Sequence, residues 1–254
     1  VIANALQLRD VAVERGGKTI WTHGSLEIPR GAVVGVIGPN GSGKTTLLEM
    51  ILGLVEPTTG SMTVLGSAPS KGNDRIGYVP QHYTSLVGDA VRCRELVALG
   101  LDGMRYGFGR LSGQQQNMID SALASVNATD LANKRMSELS GGQQQRIAIA
   151  QALVNQPELV LLDEPLASLD LRNQHQIVEL IGQLSAKSGA TMLLVTHDLN
   201  PLLSILTGAI YLLDGHPHYD EIGRVVDEDL LSHLYGTDIR VVRTPQGDLF
   251  TRSA

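Results

Sequence analysis

Short apolar runs separated by turn residues open the chain, and Leu6–Leu8, Leu26–Ile28 and Val33–Ile37 each predict a strand. The third run is continuous, as a strand buried on both faces requires. A glycine-rich stretch, Gly38-Pro-Asn-Gly-Ser-Gly43, separates it from a helical pattern over Lys44 to Leu54, which Pro57 and Gly60 are expected to break. Met62–Leu65 and Ile76–Val79 read as further strands. From about Gly88 to Gln156 the periodicity is helical and predicts no strand. Strand and helix then alternate: Val160–Leu162, a helix near Leu171–Ala186, Thr191–Val195, a short helix near Pro201, and Ala209–Leu213. This alternation predicts an α/β core with a mainly parallel sheet, the helical stretch forming a separate lobe. Past the turn Asp214-Gly215, a strand is expected over Tyr219–Val226. Asp227 should cap a helix that runs through Tyr235 and ends at Gly236. Ile239–Val242 and Leu249–Thr251 predict a hairpin around Pro245–Asp248.

Composition narrows this picture. The 254 residues suit one large domain or two small ones, and 43% hydrophobic with 18% charged residues is a globular mixture. A net charge of -6 argues against a broad electrostatic grip on DNA or anionic lipid, so no nucleic-acid partner is expected. The 28 glycines suggest loops that approach something with bare backbone. Cys93 is the only cysteine, which excludes an intrachain disulfide and fits a reducing compartment. The opening residues show no basic segment followed by an apolar one, so no secretory signal is expected. The longest weakly polar run, Leu202 to Leu213, is far shorter than the ~20 apolar residues of a membrane helix.

Gly38, Pro39, Asn40, Gly41, Ser42, Gly43, Lys44 and Thr45 match G-x-x-x-x-G-K-[ST], between a buried strand and a helix. Backbone N–H groups of such a loop converge on phosphate oxygens at the positive end of the following helix. Lys44 would reach the β- and γ-phosphates and the Thr45 hydroxyl would ligate Mg²⁺. The apolar run Leu159 to Leu162 ends in Asp163 and Glu164. At the carboxyl end of a parallel strand, Asp163 can hold the Mg²⁺ hydration shell. Glu164, pointing the other way along the pleat, is free to polarise an attacking water. Ser140, Gly141 and Gly142 open a helix with a hydroxyl and bare amides, a second anion-binding start. An earlier near-copy, Leu111-Ser112-Gly113-Gln114-Gln115-Gln116, lacks the second glycine and reads as a loop and polar helix start only.

With Leu139-Ser140-Gly141-Gly142-Gln143, the chain resembles the ATP-binding cassette (ABC) family, whose signature is LSGGQ. The resemblance covers nearly the whole chain. Gly38–Thr45 then corresponds to Walker A, with Thr46 following it, and Gly77-Tyr-Val-Pro-Gln81 to the Q-loop. Leu159–Glu164 corresponds to Walker B, Ser168-Leu169-Asp170 to the D-loop, and Val195-Thr-His197 to the switch histidine.

The family implies a P-loop NTPase core with an antiparallel β subdomain, over 1–87 and 157–226. It implies a helical signature subdomain over 88–156, leaving 227–254 as a small C-terminal extension. It implies ATP and Mg²⁺ as cofactors, with Thr45, Asp163 and Gln81 at the metal and Glu164, His197 and Gln81 at the chemistry. A second copy, docked head to tail, would bring Ser140, Gly141, Gly142 and Asp170 to the nucleotide, giving a homodimer with two composite sites.

With one cassette present, a membrane channel would have to come from other chains, integral-membrane permease subunits, if this is a transporter. The chain would then sit peripherally on the cytoplasmic face of the membrane and act indirectly with an extracellular solute-binding protein. Leu86, Val87, Val91, Leu96, Val97 and Leu99 would fill the helical lobe and in part line a groove for a short permease helix. The segments Val97-Ala-Leu-Gly-Leu through Gly107-Phe-Gly-Arg-Leu-Ser, and Leu230-Leu-Ser-His-Leu-Tyr-Gly, look like bacterial importers of zinc, manganese or iron. Iron-chelate importers share the terminal pattern. A soluble ABC ATPase of iron–sulfur cluster assembly has the same motifs, whereas DNA-repair members separate the Walker motifs by long coiled coils. His216 and His218 with Asp220 make only an incomplete metal shell.

One position departs from the family. Where most members carry an aromatic residue that stacks on adenine, this chain has Arg15. Its guanidinium either faces solvent or stacks on the purine. Trp21 is the next candidate for holding the base.

Overall fold

The computed structural model describes residues 4–81, 83, 90–101, 111–243 and 249–253. The chain begins with β1 (Asn4–Arg15), β2 (Lys18–Pro29), β3 (Val33–Ile37), α1 (Lys44–Ile51) and β4 (Thr59–Val64). It continues through β5 (Ile76–Val79), α2 (Cys93–Leu99), α3 (Gly113–Ser125), α4 (Gly141–Leu153), β6 (Leu159–Asp163) and α5 (Leu171–Ser188). β7 (Thr191–Val195), β8 (Gly208–Leu213), β9 (His216–Glu221), α6 (Ile222–Val225), α7 (Glu228–Tyr235), β10 (Ile239–Arg243) and β11 (Leu249–Ser253) follow.

Residues up to Lys71 and from Gly189 onward form one compact unit, and Gly72–Ser188 form another. In the first unit β3 lies between β7 and β8, parallel to both, with Val36 opposite Val195 on one side and Ile210 on the other. Every residue of β3 is buried, the pattern of a central strand covered on both faces. Gly35 leaves room for that cover, since a Cβ there would stand 3.2 Å from Leu199 and Leu206. β9 runs antiparallel beside β8. A separate antiparallel sheet has the order β2-β1-β4, and β10 pairs with β11 as the expected hairpin. Its turn, Pro245–Asp248, lies outside the described residues, as do Leu86, Val87 and positions 102–110.

In the second unit β5 and β6 pair in parallel, Val79 opposite Leu162. The described part of the helical stretch 88–156 belongs to this unit, together with α5. α5 buries Ile177, Val178, Leu180, Ile181 and Leu184, one stripe of a 3.6-residue period.

Two boundaries differ from the sequence expectation. α1 stops at Ile51, before Pro57, because Gly53 turns left-handed (φ 69°) and Leu54 N–H donates to Glu49 C=O at 2.8 Å. The strand expected over Tyr219–Val226 ends at Glu221, where its partner β8 runs out at Gly208. The chain then turns into α6, Ile222 N–H donating to Thr207 C=O and Val225 fully buried. α7 forms as read: the Asp227 carboxylate accepts from Asp229 and Leu230 N–H, and Gly236 closes the helix at φ 66°.

Candidate functional site

In the first unit, two segments leave the carboxyl ends of neighbouring parallel strands: Gly38 after β3 and His197 after β7. Ligands of open α/β sheets bind at such an edge. The loop from Gly38 to Lys44 needs its glycines for different reasons. A Cβ on Gly38 (φ 153°) would stand 2.7 Å from Ser42 Oγ, and one on Gly43 (φ 101°) would run into Ile20 and Trp21. Gly41 (φ 80°) faces open space, so its requirement is conformational. Pro39, Asn40 and Gly41 are exposed, and Thr45 is exposed in the first turn of α1, with Thr46 buried beside it.

Lys44 curls back so that Nζ donates to Gly38 C=O at 2.7 Å and to Pro39 C=O at 3.1 Å. This holds the ammonium over its own loop. Ser42 Oγ is buried and has no hydrogen-bond partner among the described residues, a polar atom suited to an incoming acceptor. His197 is exposed, and the segment carrying it is pinned on both flanks. Thr196 N–H donates to Val36 C=O at 3.2 Å, Thr196 Oγ1 to Asp198 C=O at 2.7 Å, and Asn200 N–H to Asp198 Oδ1 at 2.9 Å.

Trp21 was a candidate for the base and cannot serve. It is fully buried in β2, and its Nε1–H donates to Ser42 C=O at 2.8 Å. It underpins the Gly38–Lys44 loop instead, a role for which nothing in the sequence beside it gave a signal. The exposed Arg15 guanidinium forms a two-pronged pair with Glu49 of α1. The fork engages the edge of the guanidinium and leaves its planar faces out of the pair. His216 Nδ1 bonds Thr22 C=O at 2.8 Å, and His218 stacks on Tyr211 with ring centroids 5.1 Å apart.

In the second unit, Gln81 and Glu164 leave the carboxyl ends of the paired strands β5 and β6, and Asp163 is the last residue of β6. Asp163 and Glu164 are half-buried, whereas Gln81 is exposed. The pleat does not aim Glu164, contrary to expectation, because β6 has already ended. Glu164 sits instead in the left-handed region at φ 51°, a conformation that non-glycine residues adopt at a cost and that clusters at functional sites. Ala167 N–H closes the turn on Glu164 C=O at 3.1 Å.

Ser140 caps α4 through a reciprocal box: its hydroxyl accepts from Gln143 N–H at 3.4 Å and its own N–H donates to Gln143 Oε1 at 3.0 Å. Ser112 caps α3 in the same way, at 3.2 and 2.9 Å. The two starts differ at their glycines. Around Gly113 a Cβ would meet nothing, whereas at Gly142 it would meet Asn173 and at Gly141 it would stand 3.4 Å from Leu169. Asp170 is exposed; its carboxylate accepts from Asn173 N–H and Nδ2–H, both at 2.8 Å, which holds it below the usual carboxylate range. Sequence reasoning missed Asn173, whose position three residues after Asp170 at a helix start was the available signal.

The same unit carries a groove of about 400 Å³ lined by Tyr78, Tyr83, Leu96, Leu99 and Gln151 among others, with Leu99 59% exposed. The Tyr83 hydroxyl donates to Gln151, and burial pushes its pKa well up.

A family model described as ABC transporter matches residues 22–167. The zinc uptake system ATP-binding protein ZurA of Listeria innocua is 39% identical over 203 residues, covering 76% of this chain and 78% of that protein. The manganese transport system ATP-binding protein MntB of Bacillus subtilis is 36% identical over 194 residues, 76% of this chain and 77% of that one. A solved structure of a metal-chelate type ABC transporter in an inward-facing conformation matches with a TM-score of 0.85 and 27% identity, covering 99% of this chain and 97% of that chain.

Proposed function

Because the chain belongs to the ABC transporter family and is its ATP-binding, ATP-hydrolysing component, we propose that it powers import of a transition-metal ion, zinc or manganese, through separate integral-membrane permease subunits. The named activities of the zinc and manganese relatives support the cargo. The single structural observation that carries the chemistry is the Lys44 loop, with its buried Ser42 Oγ, unpartnered among the described residues, and with Gly38 and Gly43 at positions where a side chain would clash.

The loop amides and Lys44 would hold the ATP phosphates. Mg²⁺, held by Thr45, Asp163 and Gln81, would neutralise charge on the β- and γ-phosphates. Glu164 would take the proton as a water oxygen bonds to the γ-phosphorus and the bond to the bridging oxygen breaks. His197 would stabilise charge on the γ-phosphate. Ser140, Gly141, Gly142 and Asp170 would face the nucleotide of a second copy docked head to tail. ATP would thus favour the closed dimer and hydrolysis would release it.

The groove beside Leu99 fits a short apolar helix of the permease. That arrangement would keep the chain on the cytoplasmic face of the membrane, serving indirectly a solute-binding protein outside. No helix among the described residues is long and apolar enough to cross a membrane.

A second reading, import of a metal chelate, is favoured by the near-complete coverage of the metal-chelate transporter structure. Cellular metal content separates the two. A host lacking this chain should lose zinc or manganese under chelation and recover it with the wild-type chain but not with Glu164→Gln. Unchanged zinc and manganese with lost uptake of chelated iron would replace the first reading by the second.

A further inference from the structure

The second glycine of the signature, Gly142, is buried at the first turn of α4. A Cβ there would overlap Asn173 Oδ1 and stand 2.8 Å from its Cγ and 3.2 Å from its Cβ. The same Asn173 amide donates Nδ2–H to Asp170 Oδ2 at 2.8 Å, while its backbone N–H donates to Asp170 Oδ1. One side chain therefore touches both the signature start and the D-loop carboxylate.

Further along the same two helices, Arg146 Nη2–H donates to Gln176 Oε1 at 3.3 Å. Gln174 Nε2–H donates to Leu169 C=O at 3.1 Å, fixing the loop ahead of α5. Ordinary helix capping accounts for the backbone bond to Asp170. It accounts for neither the Nδ2 bond nor the wedge against Gly142. The start at Ser112 is capped in the same way, but it has open space at Gly113, which aligns with Gly141, and it carries Gln114 where the Ser140 start has Gly142.

We infer that Asn173 is a positioning residue that clasps the signature turn and Asp170 into one rigid element, so that both reach a second copy in fixed register. Gly142 is accordingly glycine in part to admit Asn173 of its own chain. This inference rests on the head-to-tail reading given above.

The test uses the full chain carrying Glu164→Gln, with ATP-dependent dimerisation measured by analytical ultracentrifugation and ATP affinity measured on the monomer. Asn173→Ala should weaken the dimer about tenfold or more, with monomer ATP affinity within about twofold. Asn173→Asp keeps the volume but removes the donor and sets a second carboxylate on Asp170, so it should weaken the dimer as well. Gly142→Ala should abolish the dimer when Asn173 is present and regain a measurable part of it with Asn173→Ala.

Wild-type dimerisation by Asn173→Asp, or equal loss from Gly142→Ala in both backgrounds, overturns the clasp while leaving the head-to-tail dimer intact. Absence of any ATP-dependent dimer with Asn173 in place overturns the dimer reading itself, and the clasp with it. Should Asn173→Ala fail to fold, Asn173→Asp decides alone.

Discussion

Replacing Gly41 and Gly43 separately by alanine distinguishes the two reasons the phosphate loop has for lacking side chains. Both positions are left-handed, at φ 80° and 101°, and that conformation costs an L-residue about 1–2 kcal/mol. Gly41→Ala adds nothing more, because its Cβ would meet no atom within 4 Å. Gly43→Ala drives its Cβ to 2.6 Å from Ile20 Cγ2 and 3.0 Å from Trp21 Cε2. Trp21 is fully buried and bonded to Ser42, so it cannot swing aside, and overpacking adds about 1–3 kcal/mol.

For a chain of this size about 2–4 °C of melting temperature accompanies each kcal/mol. Gly43→Ala should therefore melt between roughly 2 and 12 °C below Gly41→Ala. Calorimetry without nucleotide measures this directly, and urea midpoints check it. Equal destabilisation by the two alanines would show that the indole does not back the loop and would refute the reasoning.

Glu164→Gln should bind ATP yet turn it over at least ~100-fold more slowly, as expected for loss of a general base; near-normal turnover removes Glu164 from that role. On the reading that places Arg15 at the base, GTP should compete with ATP within about tenfold, since ~1.4 kcal/mol is what one unspecific stack can decide. Calorimetric titration of Arg15→Ala and Glu49→Gln tests whether the forked pair holds the base, and a strong ATP preference untouched by either variant contradicts it. Asp170, lowered from its ordinary 3.8 by its bonds to Asn173, contributes stability that is full above that value and is lost as pH falls through the lower folded value. The melting-temperature gap between wild type and Asn173→Ala should accordingly narrow on acidification below about pH 4; a gap that widens reverses the sign of the argument.

The strands β3, β6 and β7 were legible in the sequence because each is a short apolar run buried by neighbours, and burial is what hydrophobicity encodes. The loop from Gly38 to Lys44 was legible as a strand-to-helix turn because its glycines stand at fixed spacing between an apolar run and a helical one. Contacts between distant segments were not. Nothing local to Trp21 says that it lies under Gly43, and nothing local to Arg15 names Glu49 as its partner. The end of β9 was missed because a strand stops where its partner stops, a property of the pairing and not of Tyr219–Val226. Ser112 and Ser140 show the converse case. Equivalent capping chemistry gives equivalent helix starts, and what tells them apart is the second residue, Gly142 in place of Gln114, with Asn173 packed against that glycine.

The tryptophan beneath the phosphate loop is the only one in the chain. Its indole is shut away from solvent, with its N–H engaged by Ser42. Ultraviolet emission selected for tryptophan therefore arises from one chromophore, seated against the backbone of the loop proposed to take the phosphates. A nucleotide that seats on that loop should perturb this emission, so its entry would be timed by stopped flow without a dye, an engineered label or a modified nucleotide. In a paired assembly each copy would contribute one equivalent emitter, so an unequal filling of two sites would register as a two-step spectral change.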